Sequence, residues 1–197
     1  STGQVFTSAD TLTFKTLTID NAEGLNVVGG NNINVTDTLE LTLGDIDLGG
    51  ATITIPQTNT YQGFTKSGAD SLSYVSNGYI SKVLLGGSAD NSTNPAQRNN
   101  VIFPLGVKDT THYRPFSFYT TSDPIDDITL TVGHFNTNPQ GTVFNTDVSD
   151  AGVTKYPDFH WTVQTSQDLP TSFVYEAHME AQGYELAATQ DIDAVKT

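Results

Sequence analysis

The sequence predicts an all-β chain: a short right-handed parallel β-solenoid over residues 1–60, then an antiparallel β-sandwich over residues 61–197. Three observations carry that expectation. Thr, Val, Ile, Tyr and Phe, which suit pleated strands, run through the whole length, whereas the helix formers Ala, Lys and Glu are sparse. Apolar and polar residues alternate with a period of two in segment after segment, the mark of strands with one buried face. The glycines of "GLNVVGG", Gly24, Gly29 and Gly30, recur 20 residues later as Gly44, Gly49 and Gly50 of "GDIDLGG".

The elements follow in order. "TLTFKTLTI" places Leu12 and Phe14, then after one slip Leu17 and Ile19, on one face. "NNINVTDTLELTL" does the same with Ile33, Val35, Leu39, Leu41 and Leu43. In "ATITI", Ile53 and Ile55 lie 20 residues beyond Ile33 and Val35. Repetition at this period marks coils that each cover the next, and the Gly pairs permit tight corners. A stack of so few coils needs a cap, and residues 61–197, or a segment upstream of this sequence, are expected to supply it.

From Tyr61 onward the pattern changes. "SLSYVSNGYISKVLL" reads as a hairpin around Asn77-Gly78, a favoured two-residue turn. "GGSADNSTNPAQRNN" is a polar loop. "VIFPLG", "YRPFSFYT", "DDITLTVGHF", "DFHWTVQTS" and "TSFVYEAHM" then read as strands of a sandwich. Pro104 and Pro115 fall beside strands, which suits edges or strand starts. Phe103 is expected to point inward, with Pro104 and Gly106 fixing a turn.

Charge excludes some partners. With 22 acidic against 8 basic residues the net charge is −14, which repels nucleic acid and anionic lipid. No apolar run approaches the roughly 20 residues that span a bilayer, so membrane insertion is not expected. The absence of cysteine leaves the compartment open. "STGQVFTSAD" lacks the charged and apolar regions of a leader, implying a mature chain or internal fragment.

"SYVSNGYISKVL" followed by "NNVIFPLGVKDTTHYRPFSFYT" resembles a pattern common in large secreted proteins of Bacteroidota. The matching residues are Tyr74, Val75, Asn77, Gly78, Lys82, Phe103, Pro104, Gly106, Tyr113, Arg114 and Pro115. The preceding "NVTDTLELTLGDIDLGGATITI" is similar to the solenoid rungs of those proteins, and "DFHWTVQTS" looks like their Trp-containing strand. The resemblance implies a bacterial cell-surface or extracellular protein, exported by the type IX route and acting as an adhesin or stalk. It also implies that the partners are neighbouring domains of one long chain, other copies, or surface glycans.

A nucleophile elbow, a His-Glu-x-x-His helix, a phosphate loop and cysteine metal spacings are all missing, so no enzyme is expected. His112, His134, His160 and His178 each sit in a different strand context. With 22 acids, a glycosidase-like carboxylate pair is always arguable and carries no specificity. The candidate metal ligands are Asp45 and Asp47, on alternate positions, and Asp123, Asp126 and Asp127 ahead of a strand. Calcium is the hard cation such carboxylates would take. Tyr113, Tyr119 and Trp161, with Tyr156 and Tyr175, are candidates for a sugar-stacking platform, although strand aromatics more often anchor a core, which is the expected role of Trp161. Arg114 is expected to pair with a carboxylate such as Asp109. The expected function is a non-catalytic structural or adhesive module; the alternatives are a carbohydrate-binding module and a filament subunit.

Overall fold

The computed structural model describes residues 3–7, 10–55, 64–66, 73–84, 101–108, 112–120, 126–137, 159–169 and 173–181. Among them the chain is all-β, with no helix and with both parallel and antiparallel pairing.

Up to residue 84 the chain shuttles between two sheets. The first sheet takes β1 (Gln4–Thr7), β3 (Leu25–Val28), β5 (Ile46–Asp47) and β8 (Val75–Ser76), all parallel. The second takes β2 (Leu12–Asp20), β4 (Ile33–Leu43), β6 (Thr52–Ile55) and β9 (Tyr79–Leu84), also parallel, and β7 (Phe64–Lys66) pairs with β4. Each passage returns to both sheets, laying its strands directly over those laid before; the third puts both β6 and β7 on β4. Gln4 faces Leu25 and Leu25 faces Ile46, a step of 21 each time (25 − 4 and 46 − 25). The slip in "TLTFKTLTI" is a register shift between Phe14 and Thr16.

Stacking in register puts like over like. Leu12, Ile33, Ile53 and Ile80 are successive partners across the second sheet, and Val132 continues the row. Ile33, Ile53, Ile80 and Val132 are fully buried. A buried side chain of this kind contributes about 1.5–3 kcal/mol of transfer free energy. The inward rows of the two parallel sheets share one core.

The glycine spacing is a corner device. Gly44 has a φ of 87°, and a Cβ there would run into the carbonyl oxygen of Asn21. At the next level up, Asn77 and Gly78 do the work of residues 48–51, since Asp47 faces Ser76 and Thr52 faces Tyr79. Asn77 takes the left-handed conformation itself, with a φ of 51°. This corrects the hairpin expectation. β8 and β9 flank Asn77-Gly78 but belong to different sheets. A left-handed Asn followed by Gly serves a coil corner as readily as a hairpin turn.

The named strands beyond β9 pair antiparallel. β12 (Ile128–Phe135) pairs with β9 on one side and β13 (His160–Thr165) on the other, completing the path of the second sheet. β10 (Val101–Phe103), β11 (Phe116–Thr120) and β14 (Tyr175–Met179) form a third, antiparallel sheet. Strands on both sides of residue 60 therefore share both parallel sheets, and the core runs on through Phe103, Phe116 and Leu130.

Candidate functional site

"FPLG" forms the joint between the two kinds of pairing. Phe103 is fully buried, and Pro104 and Gly106 do more than turn the chain. Leu105 forms a parallel bridge with Val75, so the segment lies on β8 as one more level of the first sheet. The Val75 N–H donates to the Pro104 carbonyl (2.8 Å), and the Gly106 N–H donates to the Val75 carbonyl (3.1 Å). Pro104 needs only its carbonyl in this pattern, so its missing N–H costs nothing. A Cβ on Gly106 would stand 2.5 Å from the Tyr74 ring, which is fully buried. The Tyr74 hydroxyl donates to the Val107 carbonyl at 2.7 Å.

Arg114 enters from this joint and is only 4% exposed. Its N–H donates to the Leu105 carbonyl (2.8 Å). Its Cζ lies 3.9 Å from the centroid of the Phe159 ring, a cation–π contact. Its Nη1 stands 3.3 Å from His134 Nε2 and 3.5 Å from Asn136 Oδ1. Trp161 Nε1 donates to the Arg114 carbonyl at 3.2 Å. The His134 ring contacts Phe159 (5.7 Å) and Trp161 (5.2 Å). Arg114 thus ties the joint to β12 and to the start of β13.

Burial, then the charge of Arg114, then that of His160, push His134 down to about 4 against a backbone hydrogen bond to Gly106. A neutral imidazole whose Nε2 accepts from the guanidinium keeps its proton on Nδ1. Burial also moves Arg114 below its ordinary value. The expected partner Asp109 lies outside the described residues; among the described residues the guanidinium meets a neutral histidine, an amide and an aromatic face.

Two of the candidate metal ligands, Asp45 and Asp47, are taken up by protein donors. Asp45 Oδ1 accepts from the Tyr74 N–H (3.1 Å). Asp47 Oδ1 accepts from the Gly49 N–H (3.1 Å) and from Asn77 Nδ2 (3.2 Å), while Oδ2 pairs with Lys108 Nζ at 2.6 Å. Both carboxylates tie β5 to the level above. Asp126 and Asp127 are exposed just ahead of β12, and Asp123 lies outside the described residues. Among the described residues no group of three or more His, Cys, Asp or Glu is placed to hold a metal ion.

The candidate aromatics are dispersed. Trp161 is half-buried in the second sheet, T-shaped against Phe159 at 5.4 Å. Tyr119 is in the third sheet, with its ring edge-on to His178 at 5.0 Å. Tyr113 forms an antiparallel bridge with Gly106, and burial plus the nearby charge of Glu180 push its phenol up to about 12. Tyr175 is exposed and stacks on Phe118 at 5.0 Å, while Tyr156 lies outside the described residues. His134 and His160 are neighbours on adjoining strands but face opposite sides, since His134 is paired with Trp161 and Phe135 with His160. His160 Nδ1 instead meets the Thr137 carbonyl at 2.9 Å.

Two buried groups escaped the sequence reading in their roles. His134 read as an isolated strand histidine, and Lys82 as part of a motif. Lys82 is 1% exposed, in line with the inward Ile80 and Leu84, and burial pulls its ammonium down to about 8. The available signal was its place in the alternation, where an apolar residue was due. Comparisons with family models, with curated proteins and with solved structures return no match for this chain. No helix among the described residues is long and apolar enough to cross a membrane.

Proposed function

We propose that the chain is a non-catalytic structural or adhesive module of a large extracellular bacterial surface protein, acting as stalk, cap or attachment segment. In this reading the shuttling strands are a short right-handed parallel β-solenoid, and the antiparallel strands are a β-sandwich that closes it. The observation that carries the reading is the double role of β9. It lies parallel to β6 on one side and antiparallel to β12 on the other, with Ile80 matched to Ile53 and to Val132. A stack of coils exposes an open strand edge that would template further pairing. Antiparallel strands laid on that edge end the repeat while keeping its core continuous. The buried Arg114 cluster supports the same reading, since its charge is spent on holding the joint.

Protease shaving of intact source cells, followed by detection with an antibody to this chain, tests the location. Loss of the signal before lysis is expected, and full protection until lysis would overturn the surface assignment. Incubating the purified chain with a panel of polysaccharides tests the absence of catalysis, and release of new reducing ends would sink that part.

A further inference from the structure

β14 is the outer strand of the third sheet, paired with β11 alone among the described strands. All five of its residues are exposed, with Tyr175 at 48% and Met179 at 52%. The Glu180 N–H donates back to the Pro115 carbonyl at 3.2 Å. Antiparallel alternation then points the N–H and C=O groups of Tyr175, Ala177 and Met179 away from β11. The side chains divide by face. Tyr175, Ala177 and Met179 share the face of Phe118 and Phe116, their register partners being Thr120, Phe118 and Phe116. Glu176 and His178 occupy the other face, with Oε2 and Nε2 at 3.3 Å.

The order Tyr-Glu-Ala-His-Met is complementary to itself under a two-fold rotation about Ala177. An antiparallel second copy sets Ala177 opposite Ala177, Tyr175 opposite Met179, and Glu176 opposite His178, twice over. The outward backbone groups of Tyr175, Ala177 and Met179 become the hydrogen-bonded pairs. Glu176 and His178 then fall at the non-hydrogen-bonded pairs, where facing side chains come closest. An imidazole N–H donates to a carboxylate whether the ring carries one proton or two. Sulfur–aromatic contact between Met179 and Tyr175 adds to the apolar face. The charges also fix the register, because centring the axis on Glu176 sets carboxylate against carboxylate.

We propose that β14 is a homodimerisation edge, through which two copies join their third sheets into one antiparallel sheet about an axis at Ala177. This inference stands apart from the surface-module reading and does not need it. A second copy is the occupant because the charge pattern of the strand matches its own reverse.

The test is sedimentation velocity on the full chain near neutral pH, at concentrations up to roughly 100 µM. The expected result is a species of twice the 21.1 kDa chain mass. His178→Glu places carboxylates opposite Glu176 on both halves, and should weaken the dimer about tenfold or more. The double variant Glu176→His, His178→Glu restores opposite partners and should recover the dimer. Ala177→Pro removes only an outward N–H, so it should leave the monomer's melting transition in place and abolish the dimer. A monomer throughout the concentration range would overturn the proposal. So would an unweakened His178→Glu dimer, or a folded double variant that stays monomeric.

Discussion

β4 and β12 lie in the same sheet and bury alternate residues, yet they are held in different ways. β4 sits between strands about one coil away in sequence, and its buried isoleucine is stacked on another isoleucine. β12 sits between β9 and β13, where Leu130 faces Lys82 on one side and Thr165 on the other. The contrast extends to chemistry. Every buried polar or charged side chain among the described residues falls at Ser73 or later: Ser73, Ser76, Ser81, Lys82, Arg114 and His134. In the repeating part before Ser73 the fully buried side chains are apolar and fill space, while polar side chains such as Asp45 and Asp47 bond between levels from half-buried positions. Polarity enters where parallel pairing ends, because unlike elements must be locked together there at one angle.

Truncating one residue in each region puts that contrast to its hardest test. Ile53→Ala empties a fully buried place between Ile33 and Ile80, and should cost about 3–4 kcal/mol. Val163→Ala on β13, which is 44% exposed, should cost about 0.5 kcal/mol or less. Urea unfolding of both variants gives the comparison, and similar losses would break it.

A Cβ on Gly44 strikes a backbone oxygen of the level below and meets a positive φ, so Gly44→Ala should lose about 2–3 kcal/mol. A melting temperature within a degree or two of the parent would show that the corners are adaptable instead.

His134 sharpens the comparison through pH. Its folded pKa of about 4 lies below the ordinary 6.5, so in that window the unfolded chain binds more protons than the folded one. Its contribution is therefore complete above 6.5 and lost as the pH falls towards 4, on the order of 2 kcal/mol. His134→Phe keeps an aromatic ring beside Arg114 and should flatten that part of the profile. Parallel acid profiles for the two proteins would remove His134 as the cause.

Lys82 acts at the other end of the scale. Its folded value of about 8 lies below the ordinary 10.5, so stability should rise as the pH climbs between those values. Lys82→Met removes the titrating ammonium and should abolish that rise, as urea midpoints taken across the same pH range would show. A rise that persists in Lys82→Met would remove Lys82 as its cause.

The same contrast explains what could be read from the chain. The coil period was legible because parallel register copies sequence spacing into space: Ile33 and Ile53 are partners at the spacing the letters show. The strands of the later part were legible from alternation, but their order was not. Ile128 pairs with Leu84, and Phe118 with Ala177, across stretches that no local pattern links. Asn77-Gly78 misled because one backbone conformation serves two architectures. At the candidate sites, alternation suggested that Asp45 and Asp47 share a task, but it could not reveal that the donors come from Tyr74, Asn77 and Lys108. The clustering of Arg114, His134, Phe159 and Trp161 depends on tertiary pairing alone.

The row of isoleucines has one more consequence. Ile33 and Ile53 are 20 positions apart and Ile53 and Ile80 are 27, yet each pair is matched in the sheet. The molecule counts levels by register and not by contour length, so a passage can lengthen while its neighbours keep their places. Closing a loop twice as long costs only about 0.6 kcal/mol. A foreign peptide spliced between Lys66 and Ser73, clear of β7 and β8, should therefore ride on the scaffold as cargo, at a cost small enough to measure as a slight fall in the urea midpoint.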